Sequence, residues 1–181
     1  MIKNYQDYYW KAGKPCGKGI EDSSRYYRIL TDPYGKRYSI EKYSDGAFET
    51  IVYDSQLLDF RHLTPMHQTA WQREQLKEEG NKIDCLLRNQ DDRAILFETH
   101  YFEEHFCVKC EIFSIHRLPL ATQKLYYQVK GDAFNGVILF DLESRPVMKK
   151  TYEWDLKSGE FSALLTEEWN LYPHGSAHSI A

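Results

Sequence analysis

Long apolar runs are missing from this chain. No stretch approaches the 18 apolar residues a membrane helix needs, and the mean hydropathy is −0.64, so no helical membrane anchor is expected. The opening Met1-Ile-Lys-Asn-Tyr-Gln-Asp7 lacks the apolar core of a signal peptide. Cysteine is scarce. Cys16, Cys85, Cys107 and Cys110 are too few to staple a secreted domain of this length, so reduced thiols and a cytoplasmic location are expected. A large excess of charge is missing too: 23 basic against 27 acidic residues leave −4, which argues against a general grip on nucleic acid. The balance is uneven, because residues 1–40 hold eight Lys/Arg against four Asp/Glu.

Familiar catalytic signatures are also lacking. There is no Gly-x-Ser-x-Gly elbow. Gly13-Lys-Pro-Cys-Gly-Lys-Gly19 has the wrong glycine spacing for a phosphate loop and no Ser or Thr after its lysine, so it reads as a basic linker. The neighbouring Tyr8, Tyr9 and Trp10 beside Lys11, Lys14 and Lys18 have the residue types that stack and neutralise single strands, but at this spacing packing onto their own domain is the simpler reading. No cofactor motif is present.

What the chain does have is repetition. Cys85–Phe97, Glu111–Thr122 and Val137–Met148 begin 26 residues apart, and each is an apolar run, a polar turn and a second run. Arg28–Ile40, with the turn Asp32-Pro-Tyr-Gly35, is an earlier copy. A hairpin recurring at this period names an antiparallel meander. The 15% aromatic content, with 14 Tyr and 9 Phe, suits pleated, half-buried surfaces. Asp45-Gly46 between two apolar-aromatic runs is a strong hairpin signal.

Two helices are expected. Thr64 as N-cap, Pro65 at the first position and Gly80 as the stop frame one over residues 65–79, with Trp71 as its largest apolar group. Tyr5, Tyr8 and Tyr9 suggest a short helix within 3–12. The fold class is therefore mainly β: nine to ten antiparallel strands forming a barrel or strongly curled sheet. Residues 1–24 are read as an N-terminal helix and Gly/Lys-rich linker, 25–170 as the β domain, and 171–181 as a tail. A chain of 181 residues buries roughly 70% of its unfolded surface and needs no disulfide or metal to fold.

The functional expectation is a non-catalytic binding protein. It would hold an apolar, aromatic or anionic small ligand in the mouth of the sheet, or meet a protein partner through an aromatic face. Candidate contacts are Trp71, Tyr101, Tyr126 and Tyr152, with Arg93 and Arg145 at hairpin turns as basic groups for an anion. Arg37 and Arg117 fall at similar turns. The alternative is an enzyme assembled across strands. Its contributors would be His100, Glu104, His105, Cys107 and Cys110, the His and Cys having zinc ligand types. Strict alternation along 105–112 would point Cys107 to water and Cys110 to the core, which counts against a zinc site. The enzyme is therefore read as working with or without zinc through His100, His105, Cys107 and Cys110, and no metal is assigned. The acidic pairs Asp91-Asp92, Glu103-Glu104 and Glu167-Glu168 read as solvated turns and rims. Oligomeric state is not encoded in any of these features.

Overall fold

A computed structural model describes residues 1–19, 24–62, 72–127, 134–155, 160–169 and 171. Fourteen strands follow one another: β1 (Ile2–Tyr5), β2 (Asp7–Lys11), β3 (Lys14–Lys18), β4 (Arg25–Thr31), β5 (Tyr38–Ser44), β6 (Ala47–Asp54), β7 (Gln72–Glu79), β8 (Lys82–Arg88), β9 (Ala94–Glu103), β10 (Phe106–Ser114), β11 (Pro119–Tyr127), β12 (Phe134–Phe140), β13 (Pro146–Asp155) and β14 (Glu160–Glu168). One 3-10 turn, Phe60–His62, lies between β6 and β7. Strands β7 to β14 form an eight-stranded sheet in strict sequence order. A second sheet has the order β1-β4-β5-β6, and β2 and β3 pair as a separate hairpin. Every pairing is antiparallel.

The expected meander is present, but it does not close into a barrel. Among the described residues the strands are divided among three sheets and number fourteen rather than nine or ten. Both expected helices are replaced over the described residues. Residues 72–79 form β7, an edge strand of the large sheet, and Gly80, at φ +60°, is a hairpin turn rather than a helix stop. Its sequence, Gln-Arg-Glu-Gln-Leu-Lys-Glu-Glu, is the composition that protects a sheet edge from pairing with strangers. Residues 64–71, Trp71 included, lie outside the described residues. At the N-terminus the period is two, not 3.6. Tyr8 and Trp10 are buried while Asp7, Tyr9 and Lys11 are not, and the supposed linker contributes β3.

The four repeat copies share one turn. In each, the residue entering the turn (Asp32, Asn89, Ser114, Asp141) accepts at its carbonyl a hydrogen bond from the N–H three positions on. Its side-chain oxygen also accepts two later N–H groups: Lys36 and Arg37, Asp91 and Arg93, His116 and Leu118, Glu143 and Arg145. The third residue after it has positive φ in all four (Gly35, Asp92, Arg117, Ser144). This is a type I turn closed by a left-handed residue, stabilised by an Asx or Ser cap. In an up-and-down sheet alternate turns lie at the same end, so the turns at 89–93, 114–118 and 141–145 share one end of the eight-stranded sheet.

One core serves all three sheets. Directly paired residues share a face, and the inner face of the large sheet carries Leu87, Leu96, Ile112, Ala121, Leu139 and Met148. Ile29, Ile40, Val52 and Tyr53 from the four-stranded sheet join the same cluster, with Tyr8 and Trp10 from the hairpin and Phe60. Trp10 meets Tyr53 edge-on at 4.9 Å, and Phe60 packs against both. The hairpin is also tied to the end of the large sheet. Asp141 Oδ2 accepts hydrogen bonds from Tyr8 OH at 2.6 Å and Trp10 Nε1 at 2.7 Å. Tyr27 OH and Lys42 Nζ both reach Glu143 in the same turn.

Candidate functional site

Two places carry chemistry: an apolar pocket beside β6, and a polar row buried inside the eight-stranded sheet.

The pocket, about 290 Å³, is lined by Phe48 to Asp54 of β6, by Leu57 and Leu58, and by Leu118, Pro119, Leu120 and Leu142. It therefore lies where the four-stranded sheet meets the repeat-turn end of the large one. Its rim is unusually apolar for a surface. Phe48, Ile51, Leu57, Leu118 and Leu142 are all substantially exposed, and gathered apolar groups of this kind mark contact sites more often than single ones do. Strand β6 is the last strand of its sheet, bonded to β5 on one side. Among the described residues no strand pairs with its other edge.

The buried row comes from strand alternation. On the inner face, Glu98 and His100 follow Leu96 along β9 at every second position. His100 stands opposite Cys110 on β10, Cys110 opposite Gln123 on β11, and Glu98 opposite Cys85 on β8. Glu98 and Gln123 are each 2% exposed, and Cys110 is fully covered. His100 Nε2 lies 2.7 Å from Glu98 Oε2. Arg73, reaching in from β7, places Nε 3.0 Å from the same oxygen. Burial alone would raise the Glu98 carboxyl, but the hydrogen bond with His100 and the charge of Arg73 outweigh it and hold the pKa below the ordinary range. The Cys110 thiol is pushed well up, first by burial and then by the nearby carboxylate.

Trp71 lies outside the described residues, and the other expected ligand-binding residues are not brought together. Tyr152 is buried in a small second cluster with Cys107, Leu125 and Val137. Tyr101 lies on the opposite, outer face, where its hydroxyl donates to Glu111 at 2.6 Å and the ammonium of Lys109 sits 3.8 Å from its ring centre. Tyr126 is exposed on β11. Arg93 is exposed in its turn, whereas Arg145 turns inward, pairing with Asp7 at 2.6 Å and lying over the rings of Tyr8 and Tyr27. Arg117 stacks on Phe97 at 3.5 Å. The turn arginines thus share an end of the sheet without forming a free basic ring. Of the expected set, Tyr101 borders a polar pocket of about 400 Å³ with Asn81, Phe102, Lys109 and Lys124.

The expected zinc set is split in a different way from the one alternation implies. A bulge at Val108 shifts the β9–β10 register, so Cys107 pairs with Phe102 while Lys109 pairs with Tyr101. The extra residue turns Cys107 back to the inner face, and both Cys107 and Cys110 are buried. His105 leaves the set, its ring packed on Phe106 at 3.9 Å, and Glu104 occupies the turn with positive φ. Glu98 and Gln123, which complete the row, went unnoticed in the sequence. Their signal is the alternation itself, since Leu96-x-Glu98-x-His100 and Ala121-x-Gln123-x-Leu125 place polar groups in phase with core residues.

Comparison of the chain with protein-family models, with curated proteins and with solved structures returns no match.

Proposed function

We propose that this protein is a non-catalytic binding protein whose site is the apolar pocket beside β6. The observation that carries this reading is the coincidence of a pocket with an open strand edge. At about 290 Å³ the pocket is at the small end for ligand sites. It suits one aromatic or branched aliphatic group better than a whole cofactor. The neighbouring edge of β6 offers main-chain donors and acceptors to an extended segment, while the pocket takes its anchoring side chain, as in strand addition to a sheet. A protein partner presenting an extended apolar segment is therefore favoured over a free small molecule. The enzymatic alternative draws less support, because Glu98, His100 and Cys110 border neither pocket.

The test is a library of extended peptides and small apolar fragments, read by methyl NMR. Binders should shift the methyl signals of Val52, Leu57, Leu58, Leu118 and Leu120, and should lose affinity at least about tenfold in Leu118→Asp, the cost of one buried apolar anchor. Leu118 is more than half exposed, so the variant should fold. Binders that leave these methyls unmoved would place the site elsewhere.

A further inference from the structure

We propose that Glu98, His100 and Cys110 form a closed site for one zinc ion inside the eight-stranded sheet. One ligand atom from each, a carboxylate oxygen, an imidazole nitrogen and a thiol sulfur, already lie within 4.8 Å of one another, and all three residues are buried. Tetrahedral zinc with Zn–N and Zn–O bonds near 2.0–2.1 Å and Zn–S near 2.3 Å needs ligand separations of about 3.3–3.8 Å. Their separations thus exceed coordinating ones by no more than about 1.5 Å, a distance that side-chain rotation covers. Imidazole, thiolate and carboxylate together are a zinc donor set; calcium and magnesium take oxygens.

A second observation points the same way. Gln123 stands opposite Cys110 on the same face, and its Oε1 is buried without a hydrogen-bond partner among the described residues. An uncompensated buried carbonyl costs free energy, and coordination would satisfy it, making Gln123 the fourth donor. Cys110 is little better served, since its thiol has only a 3.9 Å contact with the Glu111 carbonyl. Arg73 does not block the site. Ligating carboxylates are ordinarily held by an outer hydrogen bond, and Arg73 supplies one to Glu98 at 3.0 Å. The ion replaces the proton now lying between His100 Nε2 and Glu98 Oε2. That proton leaves or moves to Nδ1, and the Cys110 thiol proton is released to solvent. Cys85, opposite Glu98, is the neighbouring thiol that could compete for the ion, so it is part of the test.

The experiment uses the full chain, stripped with a chelator, and Co²⁺ as the spectroscopic probe. The site requires one equivalent of Co²⁺ to give a thiolate-to-metal charge-transfer band with tetrahedral d–d bands. Equimolar Zn²⁺ should abolish them and raise the melting temperature. Cys110→Ala should lose the charge-transfer band, His100→Asn should weaken binding at least about tenfold, and Cys16→Ser should change neither. Circular dichroism establishes that each variant is folded. Absence of the band in the native protein at saturating Co²⁺ overturns the proposal, whatever the variants do. So does a band that survives in folded Cys110→Ala but disappears in Cys85→Ala.

Discussion

Asp141→Ala should destabilise the protein by about 3 kcal/mol, whereas Asn89→Ala, at the same position of the same turn, should cost no more than about 1 kcal/mol. Both side chains use one oxygen to cap their own turn through two N–H groups. Only Asp141 has a second oxygen at work, accepting from Tyr8 OH and Trp10 Nε1, both residues being 1% exposed. Alanine leaves those two donors buried and unpaired, at about 1–3 kcal/mol each. The turn N–H groups are partly wetted and add a few tenths each. Against this stands the relief of a carboxylate whose pKa is raised by burial and only partly brought back by Trp10 and Tyr8, which offsets part of the cost. The balance is about 3 kcal/mol, or a fall of about 6–12 °C in Tm for a chain of this size. Asp141→Asn should fall between, since it can keep the turn bonds but presents an amide NH₂ to two other donors. Urea unfolding followed by tryptophan fluorescence measures all three variants. If Asp141→Ala and Asn89→Ala agree within about 0.5 kcal/mol, the tie between the hairpin and the large sheet contributes nothing, and the reasoning fails.

Three further outcomes follow from the same interior. Glu98 has a folded pKa below its unfolded value of about 4.3. It therefore adds stability that is complete above that pH and is lost as pH falls through the folded value, so Glu98→Gln should show a flatter loss of urea midpoint below about pH 4.3 than the parent. Of the four thiols, only half-buried Cys16 should react quickly with Ellman's reagent in the folded protein; Cys85, Cys107 and Cys110 are buried, with Cys107 pushed up to about 11 by burial. Two or more fast thiols would contradict the placement of Cys107 by the bulge at Val108. Gly17→Ala should cost about 1–3 kcal/mol, because the new methyl would lie 2.2 Å from the Tyr5 ring, and Tyr5→Ala in the same chain should recover most of the loss in thermal melts.

The strands were legible wherever turn chemistry and apolar alternation agreed. All four repeat copies proved to be hairpins with a common turn because the capping residue, Asp, Asn or Ser, is written in the chain. Residues 72–79 were misread because an exposed edge strand and an exposed helix want the same long polar side chains. Gly80 serves either ending equally well. Residues 3–12 were misread because four closely spaced aromatics, Tyr5, Tyr8, Tyr9 and Trp10, satisfy both periods. The site was harder. The side on which Cys107 points depends on one extra residue, Val108, that pairs with no residue of β9, and no local preference announces a bulge. Sheet closure was illegible for a related reason: it depends on contacts between strands far apart in sequence.

The sequence order of the large sheet has a consequence for how the chain reaches this structure. Each ladder joins a strand to the next one along, and a pair such as Cys85 and Glu98 closes a loop of only 13 residues. The Tyr8–Asp141 contact spans 133. Loop-closure entropy grows with the logarithm of length, so the longer contact costs about 2 kcal/mol more to close. The meander can therefore zip hairpin by hairpin at a speed unusual for an all-β topology, leaving docking of the N-terminal hairpin as the late event. Asp141→Ala should accordingly speed unfolding while leaving the folding rate nearly unchanged.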